Sequence, residues 1–218
     1  MTTLITGFGP FDGGSNASEA LVRALTKRRI ELGEYAHGRV ETLILPVDTE
    51  LAGTLLAEAV ERYRPSHLLL TGQAAGRNKL SLERIATNKR DFRTPDIAGK
   101  EVRDACVLDG TPEHYASNWP DLDGAVAAMN AAGIPAEVSE DCGTHLCNQV
   151  LYLALHAATT AGQSHVSTFL HLPLLPQQVI AREPAAQRYP NCPYMPLDMT
   201  MRGVEIVLRH AAALGVAA

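Results

Sequence analysis

The residues best suited to chemistry concentrate in "DCGTHLCNQVLYLALHAATT", residues 141–160, where Cys142, His145 and Cys147 lie at or near the start of a helical pattern and His156 lies further along it. Thr144 reads as a helix N-cap, which predicts Cys147 at the third helical position. Unpaired backbone N–H groups and the positive end of the dipole surround a thiol placed there. They lower its pKa and favour the nucleophilic thiolate. Cys147 also shares a stripe with Leu151, Ala154 and Ala158, as a core residue would. On these residues alone both readings stand.

A nucleophile needs a base within reach. His145 lies two residues from Cys147, about 200° around the helix, and faces elsewhere. His156 is nine residues on, roughly 13 Å along the axis and on the opposite side. His171 instead ends the apolar run "VSTFLHL" (166–172), just before Leu172-Pro173. In a doubly wound sheet, strand C-terminal ends and helix N-termini meet on one edge, where ligands bind, so Cys147 and His171 are expected to face one another there. His165 sits at the other end of the same run, some 20 Å away. Spacing does not choose the group that orients the imidazole: Glu140, Asp141 and Glu83 all remain open.

The elements that must position these residues are legible as an alternation. Apolar runs at 3–8, 40–46, 67–72 and 166–172 read as buried strands, and helical patterns occupy 17–28, 48–63, 121–132 and 144–160. A last helix, about 199–214, has Asp198 as its expected cap. The fold class expected is α/β, a three-layer α/β/α sandwich around a mostly parallel twisted sheet. With no repeat or linker, residues 1–218 are expected to form a single catalytic domain. Residues 89–120 and 181–197 break the rhythm with Pro, Asp, Arg and Gly. Excursions of that length serve as lids, binding loops, subunit contacts or plain surface hairpins.

Composition narrows the function classes. Nineteen Lys+Arg against 24 Asp+Glu leave a net charge of -5, which provides no footprint for nucleic acid or an anionic membrane. No basic-then-apolar leader opens the chain and no run spans a bilayer, so a cytoplasmic location is expected. There the four cysteines are expected to be free thiols. Cys142 and Cys147 are separated by four residues with no second pair, so no zinc site is expected. The Gly-rich "GFGPFDGGSN" invites comparison with a phosphate cradle of the nucleoside phosphorylase kind, but it lacks the Gly-Lys-Ser/Thr ending of a P-loop.

Four segments then resemble one family, the type I pyroglutamyl peptidases. "TGFGPFDGGSNAS" (6–18) is similar to its Thr-Gly-Phe-x-Pro-Phe-Gly-Gly…Asn-Pro motif, and "TGQAAGRNKLSLERIATNKRDFRTPD" (71–96) to Gly-Gln-Ala-Gly-Gly-Arg…Glu-Arg-x-Ala-x-Asn. "CGTHLCNQVLY" is similar to Gly-Thr-x-x-Cys-Asn and "FLHLPLLPQQ" to His-x-Pro-x-Leu-Pro, in matching order along the chain. The resemblance implies Cys147 as nucleophile, His171 as base and Glu83 as orienting acid. It implies that Phe8 and Phe11 flank a lactam ring, with Asn16, Gln73 and Arg93 as binding or structural residues. It implies removal of N-terminal pyroglutamate from small peptides through a thioester, with no cofactor or metal, by a homo-oligomer, commonly a tetramer. Asp12, Ala17 and Ala75 depart from the family's Gly, Pro and Gly.

Overall fold

The central strands are buried on both faces, the pattern of parallel strands covered by helices on either side. The computed structural model describes residues 1–92, 94–160, 162 and 164–215. In chain order its elements are β1 (Thr2–Phe8), α1 (Ala17–Lys27), α2 (Arg29–Tyr35), β2 (Arg39–Leu45), α3 (Leu51–Tyr63), β3 (His67–Gln73), β4 (Leu80–Glu83) and β5 (Ile85–Thr87). There follow β6 (His114–Ala116), α4 (Leu122–Ala131), β7 (Ala136–Ser139), α5 (Leu146–Thr160), β8 (Val166–Leu172), α6 (Pro176–Ile180), α7 (Pro184–Gln187) and α8 (Leu197–Leu214).

Six strands form one sheet in the order β2-β1-β3-β8-β4-β7. Neighbouring strands are parallel except at β4 and β8, which run against one another. The α/β expectation holds, and the sheet is mixed rather than purely parallel. Alternation along the strands assigns the two faces. Leu68, Leu70 and Phe169 join the core beneath α3 and α5, while Leu69, Leu80, Leu82 and Leu170 join the core beneath α1, α4 and α8.

Several boundaries differ from the sequence reading for identifiable reasons. The helix expected over 17–28 ends at Lys27, and α2 follows separately from Arg29. The helix expected from 48 begins at Leu51, because the Asp48 carboxylate accepts from the backbone N–H of Glu50 and Leu51. Asp198 does not cap α8; it lies in the first turn, and Pro196 occupies the cap position. Residues 89–120 fold as an irregular excursion over α5. Within it β6 pairs with β5, which precedes it, and a further bridge joins Arg90 and Ala105.

The turn after β1 is a tight hairpin. Phe11 and Gly14 exchange backbone hydrogen bonds across Asp12 and Gly13, whose φ values are 56° and 71°. A two-residue turn with both central residues left-handed suits Asp-Gly, which accounts for how Asp12 is tolerated where the family carries Gly.

His67, His145, His165 and His171 are held below the usual imidazole range, in each case chiefly by burial. The unfolded chain therefore binds more protons than the folded one just below pH ~6.5, and stability gained above that pH is lost as pH falls. Urea midpoints measured from pH 7.5 to 5 should decline steadily; a flat or rising series would contradict this burial.

Candidate active site

Glu83 closes β4, which is an interior strand, so this carboxylate does not stand at a solvated sheet edge. Because β4 runs against β8, Glu83 lies opposite Phe169 and Ser81 opposite His171. Residues paired in this way share a face, so the Glu83 side chain has only to reach diagonally along β8 to meet the imidazole. It does so: His171 Nδ1 lies 2.6 Å from Glu83 Oε1, with Glu83 fully buried and His171 4% exposed. Of the three candidate acids, Glu83 is the one hydrogen-bonded to His171.

Cys147 approaches from the helix layer. Its sulfur would lie only 2.9 Å from a Cβ at Gly72, and the Phe169 ring 2.7 Å from the same point. Gly72 is the register partner of His171 on the adjoining strand. The absent side chain at 72 therefore makes room for the thiol beside the imidazole. The Phe169 ring lies 4.6 Å from that of His171, centre to centre, so it abuts both groups. The juxtaposition of Cys147 and His171 at the C-terminal edge of β3 and β8 agrees with the sequence reading.

The expected cap does not form as read. Thr144 Oγ1 donates to the Asp91 carbonyl, and α5 begins at Leu146, making Cys147 its second residue. The thiolate expectation also needs correction. Burial, followed by the nearby Glu83 carboxylate, pushes the Cys147 thiol up to about 12, although Arg77 and its own backbone N–H pull the other way. Cys147 keeps some solvent contact, but its sulfur is turned on to the sheet. Burial lowers His171 at the same time, and Glu83 opposes that fall. Burial thus disfavours the charged form of both the thiol and the imidazole.

Two neighbours of this pair received no role from the sequence. Arg77, the arginine of "GQAAGR", places Nη1 2.8 Å from Glu83 Oε1 and Nη2 2.8 Å from the Asp141 carbonyl. Cys142 is the other: donor atoms of Glu83, Cys142 and His171 all lie within 4.8 Å of one another. Such a trio has the donor types of a metal site. Here the Arg77 cation already stands 2.8 Å from Glu83 Oε1, where it opposes a second cation. Burial raises the Cys142 thiol well above its usual value.

The remaining sequence candidates surround this centre. Phe8 is 3% exposed and belongs to the core, while Phe11 is partly exposed and packs against that same cluster, as does Cys147. The Phe11 ring lies 5.3 Å from His145, which stacks at 4.2 Å on Phe92 and bonds the Thr94 carbonyl through Nε2. His145 is thus engaged with Phe11, Phe92 and Thr94, and His156 bonds Tyr115. Asn16 caps α1 and donates to the Gly9 carbonyl, fixing the turn that carries Phe11. Gln73 Oε1 accepts from the Ala17 N–H and from Gln178. Arg93 lies outside the described residues.

A family model described as pyroglutamyl peptidase matches residues 1–213. The chain belongs to the pyroglutamyl peptidase family. It is 35% identical over 213 residues to the pyrrolidone-carboxylate peptidase of Pyrococcus furiosus, covering 96% of this chain and 99% of that protein. It is 36% identical over 209 residues to the one from Gloeobacter violaceus, covering 95% of each. Among solved structures, a mutant pyrrolidone carboxyl peptidase from Pyrococcus furiosus superposes with a TM-score of 0.90 at 32% identity over the full length of both chains.

Gly72→Ala tests the close approach. The added methyl must displace Cys147 or Phe169, so kcat/KM should fall by about 10–100-fold, while circular dichroism shows the fold retained. Unchanged activity would mean that the sulfur does not sit over Gly72.

Proposed function

We propose that Cys147, His171 and Glu83 carry out the cysteine-peptidase chemistry of this family, the release of N-terminal pyroglutamate (5-oxoproline) from peptides. The observation that carries the assignment is the 2.6 Å bond between His171 Nδ1 and a fully buried Glu83, with the Cys147 sulfur above the adjoining Gly72. Glu83 Oε1 accepts a hydrogen bond from Nδ1–H, so Nε2 keeps the lone pair that receives a proton from the thiol. With burial disfavouring a standing thiolate, proton transfer to His171 accompanies attack of sulfur on the pyroglutamyl carbonyl. The imidazolium then protonates the departing amine, and water hydrolyses the thioester with His171 as base.

The choice between two nearby thiols rests on access and polarity. Cys142 is 4% exposed and lies in a loop, whereas Cys147 reaches solvent and stands in the first turn of a 15-residue helix. The Cys147 N–H, which is directed at its own sulfur, is suitably placed to stabilise a tetrahedral oxyanion. The lactam ring, flat and uncharged, suits a wall formed by Phe11 against the Phe8 cluster, with Asn16 and Gln73 holding the surrounding turns. No step calls for a metal or an organic cofactor.

Two coarser features extend this reading. No described helix is long and apolar enough to cross a membrane, and four free cysteines suit a reducing, cytoplasmic setting. Ile180, Tyr189 and Tyr194 are exposed along the segment that follows β8, which supports assembly into a homo-oligomer. Light scattering of the purified chain measures that directly.

Cys147→Ser should lower kcat/KM for a pyroglutamyl amide by more than about a thousandfold. Cys142→Ser should keep most of the activity, and the reverse pattern would move the nucleophile to Cys142. Prolyl amide, with an ammonium and no lactam carbonyl, should be rejected by about 10⁴-fold. Glutamyl amide brings two charges to an apolar wall and should be rejected by roughly a thousandfold or more. Cleavage of prolyl amide within tenfold of pyroglutamyl would indicate a broader thiol aminopeptidase.

A further inference from the structure

Glu83 presents an electrostatic problem that its bond to His171 does not solve. The residue is fully buried, and Oε2 has no hydrogen-bond partner among the described residues. A buried carboxylate with one neutral partner tends to take up a proton. A protonated Glu83 would neither hold the Nδ1 tautomer of His171 nor stabilise the imidazolium formed during attack. Some other group must keep it charged.

Arg77 is the cation in position to do so. Its Nη1 shares Glu83 Oε1 with His171, and its side chain is 26% exposed, so the guanidinium is partly shielded without being wholly desolvated. Its second arm makes the arrangement more than a salt bridge. Nη2 donates to the carbonyl of Asp141, in the loop that runs through Cys142 and Thr144 into α5. One planar side chain therefore ties the acid on β4 to the loop that presents the nucleophile. A fork of fixed donors suits two acceptors in different segments, which a lysine point charge would not match.

We infer that Arg77 is a positioning residue of the active site, setting a cation against the buried Glu83 carboxylate while fixing the nucleophile loop against it through Asp141. This rests on Cys147, His171 and Glu83 being the catalytic residues. Arg77 acts through Glu83 and Asp141 and need not touch substrate. The charged and titratable groups around His171 are Glu83, Arg77 and Asp141, with both thiols alongside. Among them, Arg77 is the group that draws the Cys147 thiol downward from outside its own residue and opposes Glu83 at His171. Removing its charge should raise both, so the acid limb of the pH–rate profile should move to higher pH.

The experiment compares Arg77→Met and Arg77→Lys with the unaltered enzyme, alone and combined with Glu83→Gln, using a pyroglutamyl amide across pH 5 to 9. Arg77→Met should lower kcat by about 10–100-fold with KM changed less than about threefold, and should shift the acid limb upward. Arg77→Lys should restore the position of the limb and only part of kcat, because it keeps the charge and loses the fork. In the Glu83→Gln background, Arg77→Met should cost less than about threefold more, the sign of a residue acting through the carboxylate. An unmoved acid limb with a lowered unfolding midpoint would overturn the inference, as would additive losses in the double variant. If Arg77→Met does not fold, Arg77→Lys decides: full kcat would overturn the fork, and a shifted limb would overturn the role of the charge. Inactivity of the unaltered chain toward the amide would instead count against the proposed function.

Discussion

A carboxylate with no solvent contact is the constraint around which this site is built. Burying Glu83 is unfavourable unless opposite charge and hydrogen bonds compensate, and those partners have to come from separate parts of the chain. His171 comes from β8, Arg77 from the loop before β4, and the antiparallel contact of β4 with β8 sets the diagonal reach between acid and imidazole. A parallel β4 would carry its last residue toward the same edge as the end of β8. Glu83 would then stand in the open crevice. The one reversal in the sheet places the orienting acid beneath the base.

The second constraint is space. A thiol, a phenyl ring and an imidazole converge on one point of the sheet, and only glycine at 72 leaves room for the sulfur. Dense packing excludes water and raises the thiol, so in the proposed mechanism Cys147 relies on position more than on a standing charge. Cys147 lies over Gly72 and His171 is the register partner of that glycine, so thiol and imidazole are neighbours across β3 and β8.

Much of this was legible in the sequence, and the exceptions follow a physical pattern. Strands β1, β2, β3 and β8 are seven residues each and mostly apolar, so they stood out as continuous runs. β4 and β7 are four residues each and carry Ser and Glu, too short for any period to show. Local reasoning placed Cys147 in the first turn of a helix correctly. It expected a lowered thiol, whereas burial against the sheet, and after it Glu83 from 64 residues earlier, raise it. The Thr144 cap failed for a similar reason, its hydroxyl being taken by Asp91 in a distant loop. Arg77 stood in plain view within a recognised motif, but nothing in its spacing said that it reaches both Glu83 and Asp141. The motif resemblance, by contrast, marked Glu83 where composition alone could not choose among three acids.

The central claim is that a single thiol, at the start of α5, forms the covalent intermediate. Acid quenching during turnover of a pyroglutamyl ester, followed by peptide mapping by mass spectrometry, locates the acyl group directly. The pyroglutamyl mass should appear on the peptide containing Cys147, confined to that sulfur by fragmentation and absent from a His171→Ala sample. Acylation at Cys142, or rapid turnover with no thioester trapped under conditions where deacylation is slowed, would contradict the account.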